Sequence, residues 1–287
     1  MKILYIAELV GKAGVYALKK GLGELKSRYP WDLLIVCADG ATGGNGLGRS
    51  HSAYIHKMGA NVITLGECCF YKKDLTENID KIPYVLRPEN LNQQAPGTGA
   101  KVFKAGNEKI GVVALLGQNG FNRLHANSPF TALPAVLERL RLETPYIIVD
   151  FHAQASAEKK ALFYTADGRC SAVIGSHTRV QTADETILSG GTAVITDAGR
   201  TGSGESVGGC EINSRIQEYI TGIQDWTKEA WNAPQLQGVY MNIGKNGKAN
   251  SIKRIRINVP TPGGNAVNST GEDIPDVDAI DQNIETS

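Results

Sequence analysis

Short apolar runs that end on an acidic residue recur along the first quarter of the chain. Residues 2–7 (KILYIA) run into Glu8, 33–38 (LLIVCA) into Asp39, and 61–65 (NVITL) end just before Glu67. Runs of this length without polar alternation predict strands buried on both faces. Between them, residues 15–29 set Leu18, Leu22 and Leu25 at helical spacing with lysines on the other side, and residues 50–58 predict a second helix. Strand, helix and strand in alternation describe an α/β protein whose chemistry gathers at the strand carboxyl ends. Further strands are expected at 101–105, 110–116, 146–151, 172–175 and 192–197, and helices at 133–142 and 211–226. Strands at 239–242 and 251–258 should pair through the Gly-Lys-Asn-Gly turn between them.

Composition narrows the class. The 287 residues can bury a sizeable core, and 30 Lys+Arg against 29 Asp+Glu leave a formal charge of +1. No bulk field therefore recruits nucleic acid or an anionic membrane. No apolar run approaches the ~18 residues of a membrane span, and the first residues lack the shape of a signal peptide, so a cytoplasmic location is expected. The cysteines, Cys37, Cys68, Cys69, Cys170 and Cys210, are odd in number and irregular in spacing, which excludes a disulfide framework and a zinc ribbon. One domain is expected over residues 1–260. Residues 261–287 carry six acids, no Lys or Arg and no aromatic, which predicts a disordered acidic tail, solvated or serving as an interaction segment. Without those acids the body stands at about +7, a mild invitation to anionic ligands.

Two motifs fail on inspection. Residues 43–50 (GGNGLGRS) approach a phosphate-binding loop, but Arg49 stands where that loop needs Lys, so a plain glycine-rich turn is expected. Residues 204–208 (GESVG) match G-x-S-x-G, yet no strand directly precedes Ser206 and no His follows it in the chain. Of five histidines, His51, His56 and His125 lie in helix or loop text and are expected at the surface. His152 and His177 close the predicted strands YIIVDFH and AVIGSH. Both should reach the same sheet edge as Glu8, Asp39 and Glu67. Two imidazoles and three carboxylates at one edge make a metal-site inventory, although strand-end polar residues also cap loops.

Six blocks in order, MKILYIAELVGKAG, ADGATGGNGLG, GANVITLGECCFYKKD, LRPENL, VDFHAQASAEKKALFYTADGRCSAVIGSHTRVQTADE and AVITDAGRTG, resemble the bacterial YmdB-like metallophosphoesterases from about residue 1 to 258. The resemblance implies a calcineurin-like αββα four-layer sandwich. It also implies two metal ions, usually iron or manganese, and hydrolysis of phosphodiesters such as 2′,3′-cyclic nucleotides. Members of the family assemble as oligomers, so a homo-oligomer is implied as well.

The site text departs from the family pattern. The first-block Asp is Glu8; the bridging Glu is Asp39 and the Asn after it Gly40; the Asn and His of the third block are Glu67 and Cys68. The VDFH histidine is kept as His152. Of the two histidines in GTHTH, the first is kept as His177 and the second is Arg179. Six of eight site positions have changed. By resemblance the first ion would lie on Glu8, Asp39 and Arg179, but a guanidinium has no lone pair to offer. Arg179 is expected to replace that ion as a local positive charge, forking onto Glu8 or Asp39. The second ion would lie on Asp39, Glu67, His152 and His177, all competent ligands for Mn, Fe or Zn. Cys68 replaces the family's proton-donating His. It is expected either to act as a weaker acid or to ligate Zn, and Cys69 to be an inert buried thiol. Two outcomes follow: a phosphodiesterase with at most one metal and weak activity, or an inactive scaffold binding a protein partner with no metal.

Overall fold

The computed structural model describes residues 1–121, 123–223 and 228–261. In its first half run β1 (Lys2–Ile6), β2 (Glu8–Leu9), α1 (Gly11–Arg28), β3 (Leu33–Cys37), α2 (Arg49–Lys57), β4 (Val62–Thr64), α3 (Lys73–Thr76) and β5 (Val85–Leu86). There follow β6 (Ala100–Ala105), β7 (Glu108–Leu116), α4 (Pro129–Arg141), β8 (Ile147–His152), α5 (Ser156–Ala166), β9 (Ala172–Ser176), β10 (Thr186–Ile187) and β11 (Ala193–Ile195). The chain then forms β12 (Arg200–Ser203), α6 (Ile212–Thr221), β13 (Pro234–Ile243) and β14 (Ala249–Asn258). Beyond residue 261, the expected acidic tail lies outside the described residues, and the helix predicted over 211–226 ends at Thr221, where Gly222 takes a left-handed φ of 68°.

Two sheets pack face to face. The first runs β2-β12-β13-β1-β3-β4-β5 with β14 on β13, and the second runs β10-β11-β9-β8-β7-β6. The unbroken apolar runs are explained by residues that point alternately into two cores. In β1 and β3, Ile3, Tyr5, Leu33 and Ile35 face the layer between the sheets, where they meet Val112, Ala114, Ile148 and Ile174 of the second sheet. Their neighbours Leu4, Ile6, Leu34 and Val36 face outward and meet Leu18 and Leu25 of α1 and Ile55 of α2. The second sheet's outer face, with Val113, Ile147, Val149 and Phe151, packs on Leu133 and Leu137 of α4 and on Leu162 and Phe163 of α5. This gives four layers: helix, sheet, sheet, helix. Burial of each such side chain contributes roughly 1.5–3 kcal/mol.

β1, β3 and β4 are mutually parallel, and so are β7, β8 and β9. Each set therefore delivers its carboxyl ends to one edge of its sheet. The hairpin closes as expected, with β13 antiparallel to β14 around residues 244–247. Besides the four-residue α3, one helix, α5, was not predicted by hydrophobic spacing. Its buried face carries the charged Glu158 and Lys159 beside Leu162, which breaks the apolar period. His51, expected at the surface, is buried on the inner side of α2.

Lys159 is fully buried, and its Nζ lies 2.9 Å from Asp197 Oδ2. The same oxygen accepts the backbone N–H of Thr178 at 2.9 Å and its hydroxyl at 2.7 Å. The ion pair thus ties α5 to the loop after β11, and through Asp197 to Thr178 in the loop after β9. Removing one partner of such a pair leaves an uncompensated buried charge. Lys159→Met is expected to cost about 3–5 kcal/mol of stability, measured by urea denaturation.

Candidate functional site

Glu8 begins β2, two residues past the end of β1. Asp39 lies two residues past β3, Glu67 three past β4, His152 ends β8, and His177 follows β9 directly. The structure brings all five together with Cys68 and Arg179. Ligand atoms of Glu67, His152 and His177 lie within 4.8 Å of one another, as do those of Asp39, Glu67 and Cys68. Glu67 Oε2 rests against His152 Nε2, and Glu67 Oε1 lies 3.2 Å from His177 Nδ1. Gly66 makes this approach possible, since a Cβ there would lie 2.3 Å from the His152 ring.

The tautomer of His152 follows from its support. Ser176 Oγ donates to Asp150 Oδ1 at 2.7 Å, so it accepts from His152 Nδ1–H at 3.1 Å. Nε2 is thereby left to face Glu67 and His177, the arrangement that orients a metal-binding imidazole. Asp150 also accepts the Tyr5 hydroxyl at 2.8 Å and the Thr64 hydroxyl at 2.5 Å. Hydroxyls from β1, β4 and β9 therefore converge on one buried carboxylate beneath the site. Burial raises its pKa, against the opposing pull of the Thr64 and Ser176 hydrogen bonds. Phe121 edges onto His177 with ring centroids 5.0 Å apart and covers His152 at 6.1 Å.

Arg179 spans three segments. Its Nε and Nη2 donate to Glu8 Oε1 at 3.0 and 2.7 Å, Nη1 to the carbonyl of Gly208 at 2.9 Å, and Nη2 to that of Gly44 at 3.0 Å. The expected fork onto a carboxylate is present, but both donors share one oxygen, and Glu8 Oε2 remains buried without a hydrogen-bond partner. The glycine-rich turn that failed as a phosphate loop supplies the Gly44 carbonyl. Gly40 completes the fit: a Cβ there would lie 2.8 Å from Glu8 Oε1 and 2.9 Å from Arg179 Nη2. His177 and Arg179 both hold positive φ, 100° and 61°, which is strained for residues with a Cβ. The paired hydrogen bonds of Thr178 to Asp197 fasten the strained turn between them.

The charges are unequally matched. Burial, then the Glu67 carboxylate, push the Asp39 carboxyl from its usual 3.8 up to about 8. Burial would raise Glu67 too, but His152 and then His177 outweigh it and hold the carboxyl well below the ordinary range. Burial opposes a charge on His152, and the Glu67 carboxylate overrides it, so the imidazole holds its proton well above the usual range. The Cys68 thiol is pushed strongly up by burial and by Asp39, Glu67 and Glu8. It is therefore a poor proton donor near neutrality.

The donor set divides in two when tested against metal ions. Two imidazoles with Glu67 and Asp39 suit one divalent ion. Around Glu8, the guanidinium of Arg179 fills the space beside Gly40 and offers no lone pair, so a second ion does not fit there. Sequence reasoning missed Asp150, Ser176 and Phe121, and it missed Asp197 as the fastener of the turn. The acidic residue inside VDFH was a signal for the first; the others depend on contacts between distant segments.

Comparison with known proteins identifies the family and the fold. The family described as YmdB-like protein matches residues 4–255. A 2′,3′-cyclic-nucleotide 2′-phosphodiesterase of Bacillus subtilis (strain 168) is 36% identical over 259 residues, 90% of this chain and 97% of the relative. A solved phosphatase structure from Mycoplasma pneumoniae superposes with a TM-score of 0.84 at 33% identity, covering 91% of this chain and 95% of its own. A hypothetical protein from Thermus thermophilus gives 0.83 at 30% identity, covering 91% and 100%. Among the described residues no helix is long and apolar enough to cross a membrane. The four layers are the calcineurin-like αββα sandwich, and the chain belongs to the YmdB-like family.

Proposed function

We propose that this chain is a metal-dependent phosphodiesterase for 2′,3′-cyclic nucleotides or related phosphodiesters, slowed by a site rebuilt around one divalent ion. The observation that carries this is the juxtaposition of two unlike halves. Glu67, His152 and His177 keep their ligand atoms within 4.8 Å, while Arg179 closes on Glu8 2.7 Å away. Asp39, Glu67, His152 and His177 would hold the ion, which when bound supplies Lewis-acid polarisation of a phosphoryl oxygen and activation of water. Arg179 neutralises Glu8 and stands as a fixed cation where the family has its other ion. Asp150, through Ser176, holds the His152 ring with Nε2 toward the site. Cys68 is a weak substitute for the family's acid, and the loss of general-acid assistance is worth roughly 10²–10⁴-fold in rate. The commitment of four Arg179 hydrogen bonds to Glu8, Gly44 and Gly208, and the replacement of that acid, favour a second reading, a scaffold that binds its ligand without turning it over.

Metal analysis of the purified protein, paired with hydrolysis of bis-p-nitrophenyl phosphate and 2′,3′-cyclic AMP, separates the readings. About one ion per chain and slow turnover lost in His152→Ala are expected. Bound metal without turnover supports the scaffold. Metal-free protein that stays inert in added Mn, Fe or Zn overturns the enzyme reading. The combined variant Glu8→Asp, Gly40→Asn and Arg179→His is expected to raise the metal content toward two per chain; an unchanged content refutes the role of Arg179.

Without an ion, the cluster takes up protons instead. The folded Asp39 carboxyl titrates at about 8 against a usual 3.8, so between these values the folded state binds more protons than the unfolded one. Stability must then fall as pH rises through that window. In chelator-treated protein, Asp39→Asn is expected to melt higher than wild type, by a margin that grows from about pH 4 to about pH 8 and then levels off. Melting followed by circular dichroism checks this; a margin independent of pH would contradict it.

A further inference from the structure

The described residues hold two overlapping donor triads, and Glu67 belongs to both. The imidazole triad joins Glu67 to His152 and His177, the two residues kept from the family's text. The other, Asp39, Glu67 and Cys68, has its ligand atoms within 4.8 Å of one another and joins a thiol to two carboxylates. Cys68 is 4% exposed and Asp39 1%, so the sulfur faces the interior of the site and not solvent. Its backbone N–H is already fixed on Asp39, 3.1 Å from Oδ2 and 3.2 Å from Oδ1, which holds the residue against the cluster. A further buried acceptor, Glu8 Oε2, has no hydrogen-bond partner. Glu8 bears electrostatically on Asp39 and Cys68 alike, so all three belong to one pocket.

We infer that Cys68 is a ligand of the bound ion and makes the centre selective for thiophilic divalent metals, Zn²⁺ and its spectroscopic substitute Co²⁺, over Mn²⁺. The inference rests on the single-ion reading above and adds to it the identity of a ligand and of the metal class. A soft thiolate widens the preference for zinc over manganese beyond what a set of carboxylates and imidazoles alone would give. On binding, the S–H bond of Cys68 breaks, its electron pair forms the sulfur–metal bond, and the proton leaves to solvent. A coordinated thiol is deprotonated outright, so the protonated state of the metal-free pocket is no obstacle. Cys69 takes no part, because its side chain belongs to the outer core with Leu65, Leu75 and Leu91.

The test is a titration of the metal-free full-length protein with Co²⁺, read by absorption. A thiolate-to-cobalt charge-transfer band in the near ultraviolet is expected in the wild type and in Cys69→Ser, and its loss in Cys68→Ser. Zn²⁺ affinity should fall in Cys68→Ser by at least the ~10–100-fold that loss of an outer-shell partner costs, with Mn²⁺ affinity little changed. Should Cys68→Ser fail to fold, X-ray absorption of the zinc-loaded wild type decides. Sulfur at ~2.3 Å from zinc supports the assignment, and a shell of nitrogen and oxygen alone overturns it. Cobalt bound without the band, or with a band that survives in Cys68→Ser, refutes Cys68 as a ligand while leaving the single-ion site intact. Failure of the wild type to bind cobalt at all overturns both.

Discussion

Buried negative charge at one edge of the sheets is the constraint around which the site is arranged. Strand ends deliver Glu8, Asp39, Glu67 and Asp150 to a region almost closed to water. Carboxylates in such a place must be paired, hydrogen-bonded or protonated. The structure uses all three solutions. Arg179 pairs with Glu8, three hydroxyls serve Asp150, and protons gather on Asp39 and on His152 beside Glu67. Positive charge at this edge is therefore supplied by Arg179 and His152, each set against a carboxylate.

The scaffold and the site are held by different means. The layers are secured by apolar burial on both faces of each sheet. The site is secured by a few polar ties between distant segments, such as Tyr5 to Asp150 across the two sheets, and Lys159 to Asp197, whose carboxylate in turn holds Thr178 between His177 and Arg179. Apolar layers tolerate much substitution provided volume is kept. The polar ties do not, since each unmatched buried partner carries its full desolvation cost. This explains how the fold persists while six of its eight site positions differ from the family text.

Much of the fold was legible in the residues, for an identifiable reason. The strands KILYI, LLIVC and IIVDFH are apolar on both faces, and the acids or histidines at their ends announced the functional edge. Helix α5 was not legible, because Lys159 and Glu158 on its inner face find their partners only in the folded chain: Asp197 for the first, and the backbone N–H groups of Gln118 and Asn119 for the second. The short strands at 85–86, 186–187 and 200–203 exist through pairing with neighbours and carry too few residues to show a period. At the site, each candidate ligand could be named from the text, whereas the Ser176–Asp150 support of His152 and the shared oxygen of Glu8 are properties of three-dimensional contact.

The absent side chain at Gly40 has a consequence for how such a site changes over time. Gly40→Asn alone drives a side chain into the guanidinium; Arg179→His alone strips the cation from a buried Glu8; Glu8→Asp alone shortens the reach to Arg179. Every single step back toward the family pattern is penalised while the other two positions remain as they are. The three residues are thus energetically interdependent, and the cost of changing any one of them depends on what stands at the other two.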